Sequence, residues 1–312
     1  MTSSVTPDDL VQSVTRNSID SFRAQLPNFP SDKIRTCFKT NGVLIDDARF
    51  ASIPREFSKY FAVMAALANG NLRGKRLLDV GTGLGVFISQ AKSLGMTPMG
   101  IDIFTEYQET CRQGAVCIFQ AYGHAPEDAQ QVFVNHDIMK SAVPGNGFDF
   151  VTSFGMLEHL FGEDTRREVV HNMMKSVASG GSLIIVCGPN KYFPVDLHHY
   201  GPKFAFYHCL PLWGRQLYLR AYARAFPKKL KCRDPKWLNG MKVVEITKHI
   251  REIEPKAHIL KAFPLWVRLA RANWLRRPGV GGAVTRIAKL LSAIHVEPVI
   301  ILIATKPIPN EV

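Results

Sequence analysis

The run Arg76-Leu77-Leu78-Asp79-Val80-Gly81-Thr82-Gly83-Leu84-Gly85 restricts this chain more than any other stretch. A short apolar segment enters a turn with glycine at every second position, and Val86 to Leu94 then carries a helical pattern closed by Gly95. Glycines between a strand and a helix let backbone approach a ligand and aim the helix N-terminal N–H groups at it. A dinucleotide turn of the G-x-G-x-x-G type would place its third glycine at position 86, where Val86 stands. The spacing here is G-x-G-x-G, which departs from the dinucleotide pattern.

The pattern after the turn alternates strand and helix. Thr97 to Ile103 reads as a second strand ending in Asp102, Gln131 to His136 as a third ending beside Asp137, and Phe148 to Phe154 as a fourth. Residues 163–178 read as a helix, Gly180-Gly181 as a turn, and Ser182 to Cys187 as a fifth strand. Residues 240–253 read as helix and Lys256 to Phe263 as strand. The apolar run Pro298 to Thr305 is expected to pair with that strand. This rhythm predicts an α/β fold with a doubly wound, mostly parallel sheet. Upstream, residues 1–30 carry a weak helical pattern, and residues 54–69 read as a helix opened by Pro54. Its stripe is Phe57, Tyr60, Phe61, Met64 and Leu67.

Charge is distributed unevenly. The whole chain of 312 residues carries +13, yet residues 1–190 hold 17 Lys/Arg against 19 Asp/Glu, and residues 191–312 hold 22 against 7. A one-sided field of this size attracts anions: phosphorylated small molecules, acidic lipid surfaces or nucleic acid. No stretch interleaves Arg with aromatics as an RNA-binding module would. The six cysteines (37, 111, 117, 187, 209 and 232) are scattered without a C-x-x-C, which reads as reduced thiols in a cytoplasmic protein and no zinc site. The first residues lack the basic and apolar regions of a signal peptide, and no run of eighteen apolar residues occurs.

Taken together, the glycine turn, Asp102, Asp137, Phe154-Gly155-Met156-Leu157-Glu158-His159-Leu160 after the fourth strand and Gly180-Gly181-Ser182 resemble the class I S-adenosylmethionine-dependent methyltransferases. The resemblance covers residues 74–190 and extends through the last strand to 305. It implies a seven-stranded sheet and S-adenosylmethionine as cofactor. It also implies that Gly81, Thr82, Gly83 and Gly85 face the methionine part, with Asp79 behind them. Asp102 and Ile103 would meet the ribose, Asp137 and Ile138 the adenine, and Phe154, Gly155 and Met156 the sulfonium. On this reading residues 73–312 form the catalytic domain, with a lid or insertion at about 189–240 and a basic helical insertion at about 264–295. Residues 1–72 form a helical segment covering the site.

Methyl transfer needs an acceptor aligned behind the methyl group, and a hydroxyl acceptor benefits from a base. His159, His198 and His199 are the candidates, since imidazole titrates near neutral pH. Asn190, Tyr192, Tyr200, Phe204 and Tyr207 are candidate walls of an acceptor pocket, because the loop after the fifth strand lies at the carboxyl edge of the sheet. The segment Gly188 to Pro202 resembles the Pro-Asn-x-x-Phe-Pro-x-Asp-x-His stretch of a bacterial methyltransferase subset. Magnesium-assisted RNA 2′-O-methyltransferases and some quinone O-methyltransferases resemble the chain in part. Gly155 stands where the RNA enzymes carry a further Glu, so no metal is expected, and Glu158, His159 and His198 would be the set that held one. The expected activity is O-methylation of a small, glycan or lipid-linked hydroxyl. The alternatives are RNA 2′-O-methylation, N-methylation of a secondary metabolite, or a scaffold without chemistry. Trp266, Leu269 and Ala270 with Arg268 and Arg271, then Val284, Ile287, Leu291 and Ile294 with Arg286 and Lys289, form basic amphipathic segments suited to peripheral membrane contact.

Overall fold

A computed structural model of the chain describes residues 14–45, 50–51, 53, 55–103, 106–143, 147–192, 207–225, 236, 239–261 and 299–308. Among the described residues three helices come first: α1 (Arg16–Gln25), α2 (Ser31–Thr40) and α3 (Ser58–Leu67). Then follow β1 (Arg76–Val80), α4 (Val86–Ser93), β2 (Thr97–Asp102), α5 (Glu106–Ala121), the short α6 (Ala129–Val132), β3 (Phe133–Asn135) and β4 (Phe148–Phe154). The remainder is α7 (Glu163–Ser176), β5 (Val177–Cys187), α8 (Leu212–Ala225), α9 (Val243–Ile253), β6 (His258–Lys261) and β7 (Ile300–Thr305). The strands form one seven-stranded sheet in the order β3-β2-β1-β4-β5-β7-β6. Two crossover directions from β1 make it doubly wound, as the alternating pattern predicts.

β1 pairs parallel with β2 (Leu78 opposite Met99, Asp79 opposite Gly100) and with β4 (Asp79 opposite Thr152), and β2 pairs parallel with β3. After Arg76 every residue of β1 is buried, the signature of a strand covered on both faces. Asp79 is therefore a carboxylate inside the sheet. β7 lies between β5 and β6, so the expected pairing of the last apolar run holds. Around Gly180 to Ser182 it meets β5 in the opposite sense: Gly180 N–H donates to the Lys306 carbonyl at 2.9 Å, Lys306 N–H to that of Gly181 at 2.9 Å, and Ser182 Oγ meets Thr305 Oγ1 at 3.0 Å.

Those bonds correct one expectation. The Gly180-Gly181 pair lies within β5, which begins at Val177, and is not a turn before it. A Cβ on Gly181 would come within 2.9 Å of the Phe148 and Asp149 carbonyls, so the glycine permits a close backbone approach to β4. Other boundaries shift as well. The expected third strand is reduced to Phe133–Asn135, because Ala129–Val132 takes the preceding turn of helix. α3 opens at Ser58, and it is buried at Ser58 and from Tyr60 to Ala65 instead of along a single stripe. A helix apolar on all sides lies inside its domain. α2 is a helix that the apolar periodicity leaves unassigned; only Ile34 and Phe38 on it are buried.

The chain divides into two compact units. The first comprises residues 1–152, 175–183 and 305–312, the second residues 153–174 and 184–304. Within the first, Ile34, Phe38, Val43, Phe50, Ile53, Val86, Cys117, Ile118 and Ala121 form one apolar cluster, with Leu84 and Cys37 packed against it. Within the second, the nearly buried pair Arg166–Glu245, Nε to Oε1 at 2.6 Å, joins α7 to α9. The expected insertion at 189–240 contains α8 and the helical turn Tyr207–Cys209. The expected basic insertion at 264–295 lies outside the described residues. No helix among the described residues is long and apolar enough to cross a membrane.

Candidate functional site

In the first unit the glycine turn is shaped by left-handed backbone: Gly81, Gly83 and Gly85 have φ of 77°, 51° and 66°. Such φ values exclude most other residues. Two of the glycines differ in what a side chain would meet. A Cβ on Gly83 would point into open space, whereas one on Gly85 would come within 2.5 Å of the Phe133 ring. Gly83 thus leaves a bare, accessible backbone surface, and Gly85 brings α4 close to β3. Thr82 is buried, and its side chain crosses β2 where Gly100 has none: a Cβ there would lie 2.7 Å from Thr82 Oγ1.

Asp102, at the end of β2, locks this turn. Its Oδ2 accepts the Gly83 N–H at 2.9 Å and its Oδ1 accepts the Ile103 N–H at 2.8 Å. A carboxylate has about four lone-pair sites, so both oxygens retain capacity for a diol. Burial raises its pKa, and the two backbone N–H groups oppose that rise. Asp79 is buried more completely; its Oδ1 accepts from the Thr152 hydroxyl at 2.7 Å. Burial pushes its carboxyl up to about 7, against the pull of the Thr152 bond. Asp137 follows β3: its Oδ1 accepts the Met139 N–H at 3.0 Å and its Oδ2 lies 3.4 Å from Lys140 Nζ. The next residue, Ile138, is buried. The His136 N–H donates to the Asp102 carbonyl at 3.1 Å, which ties the ends of β2 and β3 together.

In the second unit, Phe154 ends β4 and Gly155 turns with φ 68°, its N–H donating to the Val186 carbonyl at 2.7 Å. Met156 precedes a helical turn, Leu157–His159, and the His159 N–H donates back to the Met156 carbonyl at 3.0 Å. Glu158 is 1% exposed and His159 half-buried. Asn239 holds this turn: its N–H and Nδ2 both donate to the Glu158 carbonyl, at 2.9 and 3.2 Å, and Nδ2 also reaches the Leu160 carbonyl at 3.3 Å. Arg215 stands behind it, with Nη1 3.4 Å from Asn239 Oδ1, Nε on the Leu210 carbonyl and Nη2 on the His208 carbonyl. Sequence reasoning missed Asn239 and Arg215, because nothing local marks a residue that serves a turn eighty positions away.

The loop after β5 is similarly tied down. Lys191 N–H donates to the Met241 carbonyl at 2.7 Å, and Met241 N–H to that of Pro189 at 2.9 Å. Asn190 is fully buried and uses its Oδ1 to accept the Tyr192 N–H at 3.1 Å; Tyr192 itself is half exposed. Tyr207 is buried with its ring 5.4 Å from that of Tyr218. His198, His199, Tyr200 and Phe204 lie outside the described residues. Among the described residues no group of three or more His, Cys, Asp or Glu is placed to hold a metal ion.

The pattern of the family described as a methyltransferase domain matches residues 51–226. The chain belongs to that family. Members of this methyltransferase family use S-adenosylmethionine as methyl donor, and the residues present fit it: an accessible glycine turn at Gly83 with a carboxylate beside it. A ubiquinone biosynthesis O-methyltransferase of Haemophilus ducreyi is 33% identical over 100 residues, 32% of this chain; the matched stretch spans 40% of that relative's length. Among solved structures, phosphoethanolamine N-methyltransferase 2 of Haemonchus contortus, in complex with phosphomonomethylethanolamine and S-adenosylhomocysteine, is 14% identical at a TM-score of 0.46. It is covered over 53% of its chain and 81% of this one. A TehB-like S-adenosylmethionine-dependent methyltransferase from Corynebacterium glutamicum is 16% identical at a TM-score of 0.41, covering 86% of its chain and 78% of this one.

Proposed function

We propose that the protein is an S-adenosylmethionine-dependent methyltransferase that places the methyl group on a hydroxyl oxygen of a small, glycan or lipid-linked acceptor. The observation that carries this reading is the left-handed glycine turn locked by the Gly83 N–H bond to Asp102, 2.9 Å long. On this reading Asp102 and Ile103 hold the ribose, and Gly81, Thr82, Gly83 and Gly85 with Asp79 hold the methionine part. Asp137 and Ile138 meet the adenine, and Phe154, Gly155 and Met156 flank the sulfonium. The choice of oxygen draws support from the matched stretch of an O-methyltransferase.

The transfer would be in line. When bound, S-adenosylmethionine would supply the methyl group to an acceptor oxygen aligned with it, and S-adenosylhomocysteine would be the product released. Alignment supplies most of the acceleration. The hydroxyl proton passes to an imidazole, for which His159, His198 and His199 are the proposed groups. Asn190, Tyr192, Tyr200, Phe204 and Tyr207 are proposed to shape the acceptor pocket, and residues 1–72 to cover the site. The excess of Lys/Arg over Asp/Glu in residues 191–312, 22 against 7, supports an anionic acceptor or peripheral contact with an acidic membrane through residues 264–295.

The test supplies methyl-labelled S-adenosylmethionine to the protein with host extract, then separates lipid, nucleic-acid and small polar fractions. Label in a methyl ether of the lipid or small polar fraction is the expected result. Label on nitrogen, or in nucleic acid, would overturn the proposed acceptor while leaving the cofactor assignment standing. No transfer to any fraction would overturn the activity itself.

A further inference from the structure

Cys37 on α2 and Cys117 on α5 are far apart in sequence, yet one side-chain amide touches both. Asn41 Nδ2 stands 3.3 Å from Cys37 Sγ and 3.6 Å from Cys117 Sγ, and the Cys37 thiol donates to Gln120 Oε1, one turn after Cys117, at 3.6 Å. Both are free thiols. Cys117 is 2% exposed within the apolar cluster of the first unit, and Cys37 lies half-buried at its edge. A groove of about 360 Å³ lined by Asn41, Arg112, Cys117 and Gln120 opens beside Cys117.

A packing role would be met by two small apolar residues, and would not need both sulfurs gathered around one amide donor. We propose that Cys37 and Cys117 form an oxidisable dithiol that a hydroperoxide closes to an intramolecular disulfide. The Cys37 sulfur attacks one peroxide oxygen: an S–O bond forms, the O–O bond breaks, and the leaving oxygen takes the thiol proton. The Cys117 sulfur then attacks the Cys37 sulfenic acid. The S–S bond forms, the S–O bond breaks, and the departing hydroxide takes the Cys117 proton to give water. Two thiols are oxidised by two electrons in all, and hydrogen peroxide is reduced to two waters.

Accessibility sets the order. Burial pushes the Cys117 thiol up to about 12, so it is a poor first nucleophile, and the more exposed Cys37 reacts first. The product would tie α2 to α5. Ile34 and Phe38 of α2 share their apolar cluster with Val86 and Leu84 at the glycine turn, so the bridge would also hold α2 against that turn.

Full-length protein treated with stoichiometric hydrogen peroxide should lose two hydrogen masses and yield a digest product joining the Cys37 and Cys117 peptides. Its Tm should rise by about 5 °C, reversed by dithiothreitol. Cys37→Ser and Cys117→Ser should each abolish the bridge and the shift, and Cys111→Ser, on the same helix as Cys117, should leave both. Retention of both alkylatable thiols, a bridge through Cys111, or progression of Cys37 to sulfinic acid without a bridge would overturn the proposal.

Discussion

The Gly83 N–H and the Asp102 carboxylate meet at 2.9 Å, joining the turn after β1 to the end of β2. That one bond shapes the glycine turn and leaves Asp102 at its rim. Replacing Asp102 with Ala removes the acceptor for Gly83 and Ile103 together. S-adenosylmethionine affinity should fall by about 10–100-fold, the equivalent of losing one or two hydrogen bonds to a charged group. Calorimetric titration reads it; unchanged affinity would refute the assignment of the turn. Asp102→Asn keeps one carbonyl oxygen but turns a donor toward a backbone N–H, and should fall between.

Gly85 is constrained twice, by φ 66° and by the Phe133 ring. Gly85→Ala should destabilise the protein by about 2–4 kcal/mol, from left-handed strain and overpacking together. Adding Phe133→Leu relieves the clash but not the strain, so thermal unfolding of the double variant should show partial recovery. Full recovery would mean that backbone strain contributes nothing.

Asp79 makes stability depend on pH. Its carboxyl rises from 3.8 to about 7 on folding, so the folded state binds the proton more tightly than the unfolded chain. Its contribution is fully present below pH 3.8 and is lost as pH rises toward 7, by on the order of 4 kcal/mol at most. Asp79→Asn cannot ionise. Its stability relative to the parent should therefore increase between pH 4 and pH 7 in denaturant titrations, and a constant difference would show that Asp79 stays an ordinary acid.

For the proton acceptor, one of His159→Ala, His198→Ala and His199→Ala should abolish turnover while cofactor affinity survives. Three active variants would leave alignment as the only source of acceleration, and the histidine proposal would be withdrawn.

What could be read from the chain alone was local. β1, the glycine turn and α4 follow from consecutive residues, because an apolar run, positive-φ glycines and a helical period are properties of neighbouring positions. Asp102 and Asp137 were legible for the same reason: each sits at the end of a strand that its own sequence announces. The doubly wound sheet followed from the alternation of those elements.

Tertiary structure decided the rest, where the partner lies far along the chain. Gly180-Gly181 looks like a turn by itself and is strand only because Lys306 pairs with it. α3 looks amphipathic and is buried on nearly every side because other layers close over it. Asn239 and Arg215 carry no local signature, yet they hold the Glu158–His159 turn. Asp79 is marked in the sequence by its place before the glycine turn, but only burial in the sheet removes its water and lifts its pKa. Hydrogen bonds across long loops and desolvation depend on what is brought near, and sequence order does not contain that distance.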